Sequence, residues 1–273
     1  MNDLLSPLIK ALHGEGRIRV WSLVITIFGD VVLHRGGRVA SRRLRYLLQH
    51  IRVEPGALRT ALSRLTRDGW VERTRDGRNT HYSLSLMGER EFGPALARVY
   101  APPRPAPVTR WSLALGSGRP EQDALPVGSG VWLIPEGAGS LPGYLVVAGT
   151  LGDLPAGFAG RIVTPDHHAA LAAMYRDAEQ AGRLAASGPG GLDAMAARIL
   201  LIHRWRRLVL KYPDVPPELM PPTLPRTDLR RLVAETYRAL LPASEAWLDS
   251  SVPDTGPMPA ADPGLARRFA AVG

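Results

Sequence analysis

The chain has 273 residues, of which 45% are apolar and 22% charged, the balance of an ordinary globular protein with room for two or three small domains. Because it contains no cysteine, disulfides, thiolate nucleophiles and thiolate metal sites are excluded. No stretch of eighteen apolar residues occurs, and the first sixteen residues lack the layout of a secretory leader, so we expect a cytoplasmic protein that makes no membrane contact.

The net charge of +9 lies in one part of the chain. Residues 17–98 carry sixteen arginines against seven acidic residues, whereas residues 101–273 carry seventeen basic residues against sixteen acidic ones. A basic module joined to a nearly neutral remainder is expected of a protein that binds phosphate with one end. Since nearly all basic residues of the chain are arginines, the position of the charge counts for more than the residue type.

Residues 1–19 are predicted to be an N-terminal extension with a short helix around residues 4–12. A mostly apolar helix over residues 21–33 follows, and Ser41 is a good N-cap for a second helix over residues 42–50. Two helices followed by a short turn are typical of the start of a helix-turn-helix domain.

A third helix is predicted to begin at Pro55, because the first helical position tolerates the missing N–H of proline. Its apolar residues recur at three- and four-residue spacing and form one stripe, which consists of Leu58, Ala61, Leu62 and Leu65. One face therefore packs, and the opposite face is free to contact a partner. Gly69 is predicted to end the helix.

A β-hairpin is predicted directly after this helix. Residues 70–75 and 79–84 are rich in strand formers and flank Asp76-Gly77, a strong hairpin signal. Together they are typical of a winged helix-turn-helix, in which the helix enters the major groove and the wing meets backbone or minor groove. The alternative is that the arginines here only solvate a surface. The predicted DNA contacts are Arg43, Arg59, Thr60, Ser63, Arg64, Arg67, Arg73, Arg75, Arg78, Asn79 and His81.

Several segments of the first hundred residues resemble one family of regulators. These are I-F-G-D-V-V-L at residues 27–33, R-G-G at 35–37, R-T-A-L-S-R-L at 59–65 and D-G-W at 68–70. Their order and spacing are similar to those in the N-terminal domain of PaaX-type transcriptional repressors, which regulate phenylacetic acid catabolism. The resemblance implies that residues 20–100 form the DNA-binding domain of a repressor, a homodimer on a palindromic operator in double-stranded DNA.

A further helix, capped by Ser85, is predicted to extend to Tyr100. We expect this helix either to pack against the winged helix or to form part of a dimer contact. Residues 101–108 contain four prolines and are predicted to form a stiff extended linker. We therefore expect a domain boundary at this linker.

Residues 109–163 are predicted to form a small sheet, because they hold short apolar runs at residues 111–115, 131–135 and 144–151. In the family that the chain resembles, this position holds a ferredoxin-like domain similar to CRISPR-associated nucleases. Here the connection between the first two runs is too short for a crossover helix, so we expect a reduced ferredoxin-like domain. The first run has no Asp to hold a metal, which argues against nuclease activity.

Residues 164–250 are predicted to form a helical domain, which makes the chain an α+β protein. Three helices are predicted in it, over residues 166–186, 192–211 and 227–241. The last is expected to end at Pro242, because proline interrupts helical hydrogen bonding. Residues 251–273 have the composition of a flexible tail.

The second of these helices carries a site-like cluster, which consists of His203, Arg204, Arg206 and Arg207. With the P-P-E-L-M-P turn that follows, it resembles the C-terminal part of the same family, which implies an acyl-CoA effector such as phenylacetyl-CoA. A basic helix face is able to bind CoA phosphates, while Trp205 or Tyr212 stacks on a ring. The alternative is that these arginines pair with acids such as Glu218 and Glu235.

No other chemistry is predicted from the sequence. No Gly-rich loop has nucleotide-binding spacing and no serine lies in a nucleophile elbow, so neither a cofactor nor an enzyme is expected. His167 and His168 point about 100° apart on a helix and have no further ligand nearby, so we interpret them as a solvated or capping pair and predict no metal site. The predicted function is sequence-specific transcriptional regulation on DNA. The alternative is a winged-helix module that binds nucleic acid or protein non-specifically, without small-molecule control.

Overall fold

Helices and a three-stranded sheet form the first part of the fold. The structure is a computed structural model, and it describes residues 3–14, 16, 18–77, 79–120, 124–135 and 141–270. The helices of this part are α1 (Ser6–Gly14), α2 (Val20–Ile27), α3 (Ser41–His50), α4 (Pro55–Arg67) and α5 (Leu86–Val99). The strands are β1 (Arg38–Ala40), β2 (Val71–Asp76) and β3 (Asn79–Leu84).

The predicted winged helix-turn-helix is confirmed. β3 pairs antiparallel with both β1 and β2, and Gly77, with φ at 55°, lies in the turn between β2 and β3. The hydroxyl of Ser85 accepts a hydrogen bond from the N–H of Gly88 at 2.9 Å and caps α5 as predicted. Ser41 is not a cap, because Ala40, the extended last residue of β1, takes that position and Ser41 is the first residue of α3.

α2 continues beyond Ile27 as a π-helical turn over Phe28–Val32. All residues from 22 to 32 are buried, including Asp30, which is 1% exposed. A π-turn shifts the helical hydrogen-bond pattern and is often found at functional positions. This turn brings a carboxylate into the protein interior, where it requires charged or hydrogen-bonding partners.

The middle of the chain forms a four-stranded antiparallel sheet with the order β5-β6-β4-β7. Its strands are β4 (Trp111–Leu115), β5 (Leu125–Gly128), β6 (Val131–Pro135) and β7 (Leu145–Gly149). This is the strand order of a ferredoxin-like sheet. The described residues between β4 and β5 contain no helix, so the predicted reduction is observed. β5 was not predicted, because the proline at position 126 argues against a strand. The structure places β5 at the edge of the sheet, where a proline is tolerated.

Helices dominate the last part of the chain, and α8 lies at its centre. The helices are α6 (Phe158–Ile162), α7 (Pro165–Ala186), α8 (Gly191–Lys211) and α9 (Leu229–Asp249). α8 packs against α7 and α9 and also against α2, α3 and α5 of the winged helix. One apolar core consequently extends from Leu5 to Phe269. None of the described helices combines the length and apolar character that a membrane span requires.

Two predictions for the C-terminal part are wrong. α9 does not end at Pro242, which is exposed, but continues to Asp249 because Trp247 and Leu248 are buried on the following turns. Residues 252–270 are not a flexible tail. Phe269 is 1% exposed, and the segment binds residues far away in the sequence that composition alone does not identify.

Candidate nucleic-acid interface

α4 separates a packed face from an exposed face. Its apolar stripe of Leu58, Ala61, Leu62 and Leu65 is buried as predicted. The opposite side of the helix is exposed, and the predicted DNA contacts on it are Arg59, Thr60, Ser63, Arg64 and Arg67. Because Arg59, Ser63 and Arg67 are spaced by four residues, they lie along one line of the helix.

In the described part of the structure, the polar side chains of α4 make weak contacts. Arg64 and Arg67 both reach Asp68, with nitrogen-to-oxygen distances of 3.4 and 3.1 Å, and the guanidinium of Arg64 lies 5.6 Å from the ring centre of Trp21. Exposed ion pairs of this kind contribute about 0–1 kcal/mol. Thr60 donates its hydroxyl hydrogen to the carbonyl of Gly56 at 3.1 Å. Arg64 and Arg67 can therefore exchange Asp68 for a phosphate at small cost.

The wing extends the basic surface beyond α4. Arg73 and Arg75 are exposed on β2, while Asn79 and His81 on β3 are half-buried. Arg38 on β1 donates to Nδ1 of His81 at 2.9 Å. Burial, and then Arg38, lowers the pKa of His81, so this imidazole is neutral at pH 7. His81 can therefore offer a hydrogen bond but no charge. The predicted contact Arg78 lies outside the described residues.

Arg43 is the predicted DNA contact that the structure contradicts. Its side chain is 2% exposed, and its guanidinium donates to the carbonyls of Trp247 at 3.1 Å, Ser250 at 2.7 Å and Gly256 at 2.8 Å. The guanidinium also lies 4.9 Å from the ring centre of Trp247. Arg43 therefore fixes α3 to the C-terminal part of the chain and is not available to DNA in this conformation.

The sequence interpretation missed four residues of this surface. Arg45 and Tyr46 are exposed on α3, Arg52 is exposed with φ at 61° in the turn before α4, and Arg38 is exposed on β1. For the two residues on α3, the spacing of the apolar residues along the helix was the signal that could have found them. Leu44, Leu47 and Leu48 are its buried apolar residues, so Arg45 and Tyr46 between them face outward.

The predicted effector cluster on α8 is directed largely toward the protein interior. His203 is 5% exposed and its Nδ1 lies 3.0 Å from the hydroxyl of Thr26 on α2. Burial, reinforced by the neighbouring arginines, lowers the pKa of His203 to about 3. His203 is consequently a neutral interior side chain that joins α8 to α2, and it carries no charge for an anionic ligand.

The arginines of this cluster differ in their surroundings. Arg204 forms a salt bridge with Asp177 on α7. Arg206 donates to the hydroxyl of Ser22 at 2.7 Å and to the carbonyl of the same residue at 3.2 Å, whereas its buried Nε has no hydrogen-bond partner in the described structure. Arg207 is exposed. The salt-bridge partner seen for Arg204, Asp177, is an acid that the sequence did not suggest.

The rings proposed to stack on a ligand are already engaged. Trp205 is 1% exposed and donates its indole N–H to the carbonyl of Val99 at 2.8 Å. Tyr212 stacks on His167, with ring centres 4.3 Å apart and planes 4° from parallel. His168 lies 2.8 Å from the hydroxyl of Thr223. His167 is therefore buried and stacked, which corrects its interpretation as a solvated residue.

A small recess opens between α2, α5 and α8. Its walls include the apolar side chains of Ile25, Phe92, Leu96 and Ile202, and Arg206 lies at its edge. It lies between the winged helix and α8. Among the predicted effector residues, Arg206 is the one that lines it.

These features define a winged helix-turn-helix protein with an exposed recognition helix, α4. We call its helical C-terminal part, which consists of α7, α8 and α9, the C-terminal body. Comparison with known proteins gives a consistent result. The profile of the family described as PaaX-like protein matches residues 19–88, and that of the PaaX-like protein C-terminal domain matches residues 165–250. The chain belongs to the PaaX-like family.

Individual known proteins also resemble the chain. It is 30% identical to the transcriptional repressor PaaX of Escherichia coli (strain K12) over 274 aligned positions, which cover 88% of this chain and 86% of that protein. An uncharacterized protein from Mycobacterium tuberculosis has a similar structure, with a TM-score of 0.49 and 20% identity over 82% of this chain and 97% of that one.

Proposed function

We propose that the protein is a sequence-specific DNA-binding transcriptional repressor. The observation that carries this proposal is the division of α4 into a buried apolar face and an exposed face of arginine, threonine and serine beside an arginine-bearing wing. A helix of this kind fits the major groove, and the wing meets the backbone or the minor groove. The related protein of Escherichia coli is named a transcriptional repressor, which supports the same function.

The proposal divides the interface by mechanism. Arg59, Thr60 and Ser63 lie in the N-terminal half of α4, which a helix-turn-helix places deepest in the groove, so they contact base edges. Arg73 and Arg75 contact phosphates, where they supply affinity without sequence preference. The concentration of the net charge in residues 17–98 agrees with this arrangement.

We further propose that the repressor binds a palindromic operator as a homodimer. The sheet domain offers a surface for this contact, because β7 is an edge strand whose five residues are all exposed. Leu113 and Leu115 on β4 pair with Val147 and Leu145 on β7, and all four side chains are at least 40% exposed. An unprotected apolar edge offers unpaired backbone groups with which a strand of a second chain can pair.

The effector part of the proposal is an aryl-acyl-CoA ester that weakens DNA binding. It is supported by the membership in the family and by the position of Arg206 between α8 and the winged helix. Arg206 lies where α8 meets α2 and Arg207 is exposed, so these two are the residues assigned to an anionic group. A ligand that draws Arg206 away from Ser22 would disturb α2, and through it α4.

The test is selection of duplexes from a random pool by the full-length protein, followed by mobility-shift titration of the selected and the random sequences. A repressor should prefer the selected sequence by about 10³-fold or more, and this sequence should be palindromic. Equal affinities would instead support the non-specific module. Addition of phenylacetyl-CoA, with free CoA as the control, tests the effector, which should release the selected duplex.

A further inference from the structure

The last residues of the chain run back across the winged helix. We call residues 252–270 the strap. Met258 donates its N–H to the carbonyl of Leu248 in α9, and Asp262 donates to that of His34, just after the π-turn, both at 2.9 Å. The imidazole of His34 also lies 2.8 Å from the carboxylate of Asp262. The strap thus starts at the C-terminal body and reaches the DNA-binding domain.

The end of the strap binds the π-turn through Arg268. Its guanidinium donates to the carbonyls of Gly29 and Asp30 at 2.5 Å and to the carboxylate of Asp30 at 2.6 Å. It also lies 4.0 Å from the ring centre of Tyr100. The next residue, Phe269, packs on the rings of Tyr100 and Tyr237, with ring centres 5.3 and 5.5 Å apart. These contacts are made with the interior of the protein, because Arg268 is 6% exposed.

Asp30 is the point at which three parts of the chain meet. Arg198 of α8 donates to its second carboxylate oxygen at 2.7 Å, and the hydroxyls of Tyr100 and Tyr237 donate to its first at 2.6 and 3.0 Å. Burial alone would raise the pKa of Asp30, but Arg198, Arg268 and the tyrosines hold it below its ordinary value. A charged group with this many partners fixes the orientation of the elements that supply them.

The strap also completes two contacts made by α9. Arg43 of α3 donates to the carbonyl of Gly256 in the strap, in addition to its α9 partners. Arg35 donates to the carbonyl of Pro259 at 3.1 Å and forms salt bridges with Glu245 and Asp249. Two buried arginines of the DNA-binding domain therefore depend partly on strap carbonyls.

We propose that Arg268 and the strap are positioning elements that fix the orientation of the winged helix on the C-terminal body, and hence the spacing between the two recognition helices of a dimer. This inference rests on the proposed function. The inference predicts an effect only on operators that have two half-sites, one for each subunit of the dimer. A winged helix that is less firmly oriented still binds one half-site. A dimer whose two recognition helices are not held at the operator spacing loses the additional affinity that comes from binding both half-sites at once.

Asp30 keeps other partners when Arg268 is lost. Without it, Asp30 keeps Arg198 on one oxygen and both tyrosine hydroxyls on the other, so its carboxylate does not become unpartnered. Lysine is not a substitute, because one ammonium group does not reproduce the planar fork that binds two carbonyls and a carboxylate. Arg267 is exposed and adjacent, and Arg267→Gln is a matched control that removes the same charge.

The experiment compares the full-length wild type, Arg268→Gln and Arg267→Gln on two duplexes, one with both half-sites of the sequence selected by the wild type and one with a single half-site. For Arg268→Gln we expect the ratio of the two affinities to fall by about tenfold, with half-site affinity unchanged. Arg267→Gln should keep the wild-type ratio. If Arg268→Gln does not fold, Asp262→Ala removes an exposed strap contact instead and should lower the ratio by a smaller factor.

The outcomes separate the two proposals. An unchanged ratio in a folded Arg268→Gln variant, or in Asp262→Ala if that variant is the one tested, overturns the strap inference while leaving the proposed function intact. An equal loss on both duplexes also overturns it, because it shows a general structural role. If the wild type itself selects no sequence, the proposed function fails and the inference fails with it.

Discussion

At the scale of single residues, neighbouring arginines have different roles. Arg206 and Arg207 are adjacent on α8, but Arg206 binds Ser22 of the winged helix and Arg207 is exposed. From the sequence alone both were assigned to an effector. The structure shows that one of them also connects two parts of the protein.

Arg206→Ala should therefore lower the free energy of unfolding. Loss of its two hydrogen bonds to Ser22 should cost about 1–3 kcal/mol, because hydrogen bonds that involve a charged group contribute in this range. Arg207→Ala is the matched control and should change stability by less than about 0.5 kcal/mol. Urea unfolding of both variants measures the difference. Equal effects would mean that the Ser22 contact contributes nothing to stability.

The lowered pKa of His167 should make the stability of the protein depend on pH. Burial lowers its pKa from 6.5 to about 4, with Asp214 opposing the shift. Between these values the unfolded chain binds a proton that the folded chain does not. Stability should therefore fall as the pH drops through this window, by up to about 1.4 kcal/mol per pH unit from this residue.

His167→Phe tests this pH dependence, since it keeps a ring to stack on Tyr212 and removes the titrating group. Urea unfolding at pH 8 measures the effect of the substitution on packing alone. Between pH 8 and pH 5 the variant should lose less stability than the wild type, by about 1–2 kcal/mol. The same loss in both proteins would show that His167 does not disfavour protonation in the folded state.

At the scale of elements, α9 contains an internal proline. Pro242 is exposed in the helix interior and supplies no N–H for helical pairing. Pro242→Ala should raise the free energy of unfolding by about 1–3 kcal/mol, as expected when proline leaves a helix interior. Chemical unfolding measures this. A loss of stability would contradict this and would indicate that Pro242 is needed to align Glu245 and Trp247 with Arg35 and Arg43.

Local signals predicted most of the elements correctly. The positions of Pro55 and Ser85 predicted helix starts, because each of these signals acts within four residues of the chain. The hairpin around Asp76-Gly77 was found in the same way. The exposed face of α4 followed from the periodicity of its apolar residues.

Contacts between distant residues were not predictable in this way. Arg43 lies four residues before Leu47 on the buried side of α3, but the carbonyls that bind it are about two hundred residues away in the sequence. The partners of Asp30 come from α5, α8, α9 and the strap. The composition of the strap predicted a flexible tail. This prediction was wrong because composition does not show that Arg268 has a buried carboxylate to bind.

At the scale of the whole molecule, the winged helix and the C-terminal body share one core. α8 packs against α2, α3 and α5, while α9 and the strap bind α3 and the π-turn. The proline linker is also held, since Arg104 forms a salt bridge with Asp214 at 3.2 Å. A change at α8 can therefore reach the recognition helix without a flexible joint between them.

The central claim is that α4 reads sequence while the wing supplies affinity. The most direct measurement is titration of full-length wild type, Arg59→Ala and Arg75→Ala against the selected duplex and a random duplex at two salt concentrations. Arg59→Ala should cost about 1–3 kcal/mol on the selected duplex and little on the random one. Arg75→Ala should weaken both equally and flatten the salt dependence by roughly one unit. If Arg59→Ala weakens both duplexes equally and leaves their affinity ratio unchanged, α4 is a phosphate contact and the claim is contradicted.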